Sequence, residues 1–100
     1  MVNKLTLQVI SECIGTLVFL LVISNVVNKN SFGSNGPFVI GLTLAFVIVA
    51  FGSISGGHFN PAVTFMVLLS EGKSRDFSKA FWYVCAQLTG AAAAYGLSQV

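Results

Sequence analysis

Residues 55–72 read SGGHFNPAVTFMVLLSEG, and the fold turns on this stretch. Its apolar part, Pro61 to Ser70, is ten residues long. At 1.5 Å per residue it makes about 15 Å of helix, while the hydrocarbon core of a bilayer is about 30 Å thick. Such a helix reaches half way across a membrane and no further. It is entered through Gly56-Gly57 and left through Gly72, with the charged cluster Glu71, Lys73, Arg75 and Asp76 directly behind it. This is the pattern of a re-entrant segment, whose non-helical backbone is tolerable only against protein or a water-filled path.

The surroundings are of bilayer composition. Of the 100 residues 55% are hydrophobic and 8% charged, against about 25% charged in an average soluble domain. No Asp, Glu, Lys or Arg occurs from Asn30 to Ser70, or after Lys79. No water-facing surface can be covered that way. A transmembrane helix needs roughly 20 apolar residues, so this length supplies about three spans. They read as 5–27, as 37–54 with Pro37 as a natural helix starter, and as 77–98 with Asp76 or Ser78 as the cap. The polar loop 29–36, rich in Asn, Ser and Gly, separates the first two. The expected fold is therefore all-α: three transmembrane helices plus a re-entrant half-helix at 55–70, in a single unit over 1–100. A cleaved signal peptide is the other reading of the first span, and Glu12 inside it and the lack of an Ala-x-Ala-like site speak against that.

Charge sets orientation rather than partners. A net charge of +2 spread over scattered lysines makes no nucleic-acid surface. With the N-terminus cytoplasmic, Lys4, Lys73, Arg75 and Lys79 lie inside and Lys29 alone outside, as the positive-inside rule prefers. Cys13 and Cys85 both lie in apolar stretches with no metal-type spacing, and read as buried free thiols. No cofactor or metal is expected, since His58 is the single histidine and has no partner ligands. No catalytic constellation is present either, so the chain reads as a non-enzyme.

Asn60-Pro61-Ala62 has a physical logic of its own. Pro61 at the first helical position loses no hydrogen bond, and Asn60 before it is a good cap: its side-chain oxygen accepts a backbone N–H while its NH2 stays free. A helix N-terminus carries roughly +0.5 of an elementary charge, so near the membrane midplane it discourages protons and cations, while a neutral hydroxyl still accepts from Asn60. Gly56, Gly57, His58 and Phe59, non-helical before the cap, would leave their carbonyls as acceptors. Acceptors followed by a donor make a water path. Glu12 within a membrane helix costs on the order of 2.5–3.5 kcal/mol on insertion scales, so it should face protein and have a partner.

The string Ser55-Gly56-Gly57-His58-Phe59-Asn60-Pro61-Ala62-Val63-Thr64 closely resembles the first signature of the aquaporin and glycerol-facilitator family. The first span has Glu12, Gly15, Thr16 and Phe19 in a Glu-x-x-Gly-Thr-x-x-Phe spacing similar to the family's opening pattern, and the third has Ala86, Gln87, Gly90 and Ala91, similar to Ala-Gln-x-x-Gly-Ala. Three motifs in order cover essentially the whole chain. The resemblance implies one repeat, the N-terminal half, of the aquaporin-like fold. It implies passive conduction of water, and of glycerol or other small neutral solutes, past Asn60, Pro61 and Ala62. It also implies that Glu12 and Gln87 hold the backbone of the re-entrant loops, that the protein is a tetramer in the plasma or cell membrane, and that Ile40 takes a place in the selectivity filter. Water-selective members commonly carry Phe at that place and glycerol facilitators often Trp; Ile40 is neither. Ser53 stands where many members have a second histidine, and Met66 where the family has a smaller residue.

The family pore is built from two inverted repeats, and this sequence holds one Asn-Pro-Ala. A truncated or partial gene product is the expectation, with a half-size subunit that pairs with an inverted copy of itself or with another half as the other form. Besides the channel, a non-conducting structural or regulatory membrane subunit that assembles with full-length relatives fits the same residues.

Overall fold

The computed structural model describes residues 2–100. It is all-helical, with no strand among the described residues. Four α-helices follow in order: α1 (Lys4–Lys29), α2 (Gly36–Ser55), α3 (Pro61–Ser70) and α4 (Phe77–Ser98), with short 3₁₀ turns at Gly33–Asn35 and Gly72–Ser74.

Each boundary has a local cause. Asn3 caps α1, its Oδ1 accepting from the Thr6 backbone N–H at 2.8 Å and the Thr6 hydroxyl at 2.9 Å. Asn30 closes α1 in the left-handed conformation, φ 50°, which asparagine tolerates better than most residues. With both caps in place, α1 extends beyond the apolar run, to Lys4 and Lys29. Pro37 sits in the first turn of α2, and Gly56, at φ 93°, ends it. Asp76 is the cap of α4, its Oδ1 accepting from Lys79 N–H at 2.9 Å. The Glu71 carboxylate in turn accepts the Asp76 N–H at 3.1 Å, which ties the tight α3–α4 connection to itself.

Helix α1 is the middle of the bundle, packed on α2 along one side and on α4 along the other, while α3 leans on α4. The α1–α4 contact is backbone-close. A β-carbon on Gly90 would stand 2.5 Å from the Cys13 carbonyl oxygen and 3.1 Å from the Leu17 nitrogen, so only glycine lets the helices approach there.

What is buried is the reverse of a soluble core. Gln8, Ser11, Glu12, Thr16, Ser55, Thr64, Gln87 and Ser98 are buried, whereas Phe38, Leu42, Phe46 and Val49 on α2 are 66–83% exposed. Soluble monomers do not expose apolar surface on this scale while hiding polar groups. Helix α1, and α2 together with its leading turn, are each long and apolar enough to cross a membrane. Helix α4 has the length, 22 residues, but carries Lys79, Gln87 and Thr89 along it. Cys13 and Cys85 are free thiols and half-buried.

Candidate functional site

The loop 56–60, between α2 and α3, is where the polar interior converges. Its backbone cannot be regular: Gly56 and Gly57 have φ of 93° and 67°, and Phe59 has φ 52°. A left-handed phenylalanine costs roughly 1–2 kcal/mol, so other contacts must hold it.

Glu12 supplies them. It is fully buried on α1. Its Oε2 accepts the Ser55 hydroxyl at 2.7 Å and the His58 N–H at 3.1 Å, and its Oε1 accepts the Phe59 N–H at 2.8 Å and the Gln87 amide at 2.9 Å. A carboxylate offers about four lone-pair sites, and four donors from α2, the loop and α4 occupy them. Hydrogen bonds to a charged acceptor are roughly twice as strong as neutral ones, and a water-poor surrounding strengthens them further.

The network continues outward. Gln87 Nε2 also donates to Thr64 Oγ1 at 2.8 Å, joining α4 to α3. Thr64 Oγ1 lies 3.0 Å from His58 Nδ1. That oxygen, which already receives the Gln87 N–H, can donate its own hydrogen to the ring nitrogen or accept one from it, so the direction of this bond follows the His58 tautomer. The His58 ring rests on Tyr83 with centroids 4.9 Å apart, and the Tyr83 hydroxyl donates to the Ser55 carbonyl at 2.6 Å. His58, Thr64 and Tyr83 also line a small cavity between α3 and α4, whose outer rim carries Glu71, Asp76 and Lys79. Gln87 Oε1 and Thr16 Oγ1 are buried without a partner among the described residues.

Asn60 is the cap of α3. Its Oδ1 accepts the Ala62 N–H at 2.8 Å, Pro61 takes the first helical position, and the amide nitrogen has no hydrogen-bond partner among the described residues. No hydrogen bond among those residues ends on the carbonyls of Gly56, Gly57, His58 or Phe59. Asn60, Pro61 and Ala62 are exposed. Ile40 is half-buried on α2, fifteen residues ahead of Ser55, and takes no part in this network.

Sequence reasoning singled out Glu12, Gln87 and the loop, and it missed Ser55, Thr64 and Tyr83. The signals were there: two hydroxyls flanking Asn-Pro-Ala, and a tyrosine four residues before Gln87 on the same helical face.

Comparison with known proteins gives a consistent answer. The family model described as Major intrinsic protein matches residues 2–100. The chain is 36% identical over 95 residues to aquaporin-5 of Homo sapiens, covering 89% of this chain and 34% of that protein. It is 40% identical over 84 residues to the glycerol uptake facilitator protein-like 6 of Lactiplantibacillus plantarum, covering 82% and 38%. A 53-residue stretch is 51% identical to the lens fiber major intrinsic protein of Canis lupus familiaris, covering 53% of this chain and 19% of that protein. The chain thus spans about a third of the length of the first two of these relatives. No solved structure matches it.

Proposed function

This chain belongs to the major intrinsic protein family, and on that premise we propose that it forms the first half of a passive transmembrane channel for water and for glycerol or other small neutral solutes. In this reading α1, α2 and α4 span the membrane and α3 is the re-entrant half-helix, one aquaporin-like repeat over 1–100. The N-terminus is cytoplasmic, the membrane is the plasma or cell membrane, and the channel assembles as a tetramer. A second re-entrant half-helix, from whichever polypeptide carries it, completes the pore.

The observation that carries the proposal is the pairing of a free donor with free acceptors. Among the described residues the Asn60 amide nitrogen is unbonded beside a loop whose carbonyls at Gly56, Gly57, His58 and Phe59 accept nothing. A water or hydroxyl moving past can donate to each carbonyl in turn and then accept from Asn60. The dipole of α3 adds a partial positive charge at that point, which opposes cations. Glu12 keeps the carbonyls aimed, since its bonds fix the N–H side of the loop, and Gln87 braces the Glu12 carboxylate and Thr64. Ile40 gives its part of the filter an aliphatic wall rather than an aromatic one. The names of the relatives support both solute classes, and the two similarities do not choose between them.

Vesicles carrying the protein together with the polypeptide that supplies the second half-helix should shrink faster in an osmotic step than empty vesicles, and Asn60→Leu should abolish the difference while inserting normally. Unchanged flux in folded Asn60→Leu would remove Asn60 from the pore. No acceleration by the wild-type protein once that second half-helix is supplied would favour a non-conducting subunit instead.

A further inference from the structure

We infer that Gly15 and the Phe59 ring form a positioning lock that sets where the acceptor carbonyls and Asn60 stand; the inference rests on the channel reading above. Glu12 and Gly15 are three residues apart on α1 and so share a face. Glu12 takes the Phe59 backbone N–H, and Gly15 takes the Phe59 side chain. A β-carbon at position 15 would fall 2.6 Å from Phe59 Cζ and 2.7 Å from Cδ1, well inside ordinary contact. The ring fills the space a side chain would need. Its other side meets Phe51 of α2 edge-on, with centroids 6.3 Å apart, and the residue is 3% exposed.

Residue 59 is thus held at both ends by one face of α1. Its backbone is left-handed, a conformation that would relax without restraint. The carbonyl of Phe59 immediately precedes Asn60, so a displacement of the ring too large for rotation about χ1 and χ2 to absorb is passed to that carbonyl and to the Asn60 amide. A methyl group at position 15 would push the ring by well over an ångström, because Phe59 Cε1 lies closer still than Cζ and Cδ1 and far inside normal van der Waals contact. Gly15 therefore acts through Phe59 and never meets solute.

Backbone amide exchange at His58 and Phe59, measured with water and glycerol flux, tests this in the wild type, Gly15→Ala, Phe59→Leu and the double variant. Gly15→Ala should speed exchange at both amides on the order of tenfold, leave the centre of α4 protected, and lower flux per reconstituted protein by about the same factor. The double variant, with a smaller side chain in place of the ring, should return exchange to within about threefold of the wild type. A merely structural role predicts loosening along all of α1 and no rescue. Should Gly15→Ala not fold, Phe59→Ala decides: it should unprotect the two amides and shift the water-to-glycerol flux ratio. Wild-type protection of residue 59 in Gly15→Ala or in Phe59→Ala would overturn the inference, as would a folded double variant no better than Gly15→Ala. A wild-type protein without flux even when the second half-helix is supplied would sink the channel reading alone, because the exchange measurements would still report on the lock.

Discussion

The α1 face around Glu12 and the outer face of α2 are built by opposite rules. Around Glu12, each contact is directional: four donors from three parts of the chain meet one carboxylate, and Gln87, Thr64 and Tyr83 extend the network. On α2, Phe38, Leu42, Phe46 and Val49 share a stripe that touches little of the protein. In lipid, apolar side chains need only be apolar, because the solvent is as oily as they are. Structural uniqueness then falls to the polar groups, which have no water to fall back on. The difference teaches that the few polar residues of this chain specify its conformation, and the many apolar ones specify its environment.

The largest effect should come from Glu12→Ala. It strands the N–H groups of His58 and Phe59 together with the Ser55 and Gln87 donors, and breaking a buried charged network typically costs about 3–5 kcal/mol. Unfolding in detergent measures this, and a loss below about 1 kcal/mol would make the network ornamental. Next comes Phe46→Lys, near the middle of α2. If that face meets lipid, the substitution should raise the insertion cost by about 2.5–3.5 kcal/mol in a translocation assay. Free tolerance would mean that α2 faces water or a polar partner. Tyr83→Phe removes only the hydroxyl bonded to the Ser55 carbonyl and should cost about 1 kcal/mol in the same unfolding measurement. Phe46→Leu should be the mildest, within about 0.5 kcal/mol. An effect as large as that of Tyr83→Phe would show that the α2 stripe packs against something specific, and the contrast between the two regions would collapse.

The sequence announces the helices through their punctuation. Pro37, Asn60-Pro61 and Asp76 are start signals whose chemistry works within four residues, and Gly56 is a stop of the same kind. Asn3 and Asn30 work in the same way, yet they lie outside the apolar run, so hydropathy alone ends α1 short of Lys4 and Lys29. The site was legible only in part. That Glu12 needs a partner follows from the cost of a lone carboxylate in lipid, but the identity of the partners does not. Ser55, His58 and Phe59 lie 43 to 47 residues away in the chain and Gln87 lies 75 away. Whether Gln87 reaches the carboxylate depends on how closely α1 and α4 approach at Gly90, a matter of backbone packing. The left-handed Phe59 is the least legible feature, since no local preference of phenylalanine favours it.

The central claim is that residues 55–70 dip into the membrane and leave it on the side they entered. The most direct test is thiol labelling in sealed vesicles, with Cys13 and Cys85 replaced by serine and single cysteines placed at Ser34, Asn60 and Ser74. A bulky, membrane-impermeant reagent should label Ser34→Cys and Ser74→Cys from opposite faces and leave Asn60→Cys unreacted from both, while a small water-soluble reagent reaches it. Labelling of Asn60→Cys by the bulky reagent as fast as Ser74→Cys would place the loop outside the lipid and contradict the account.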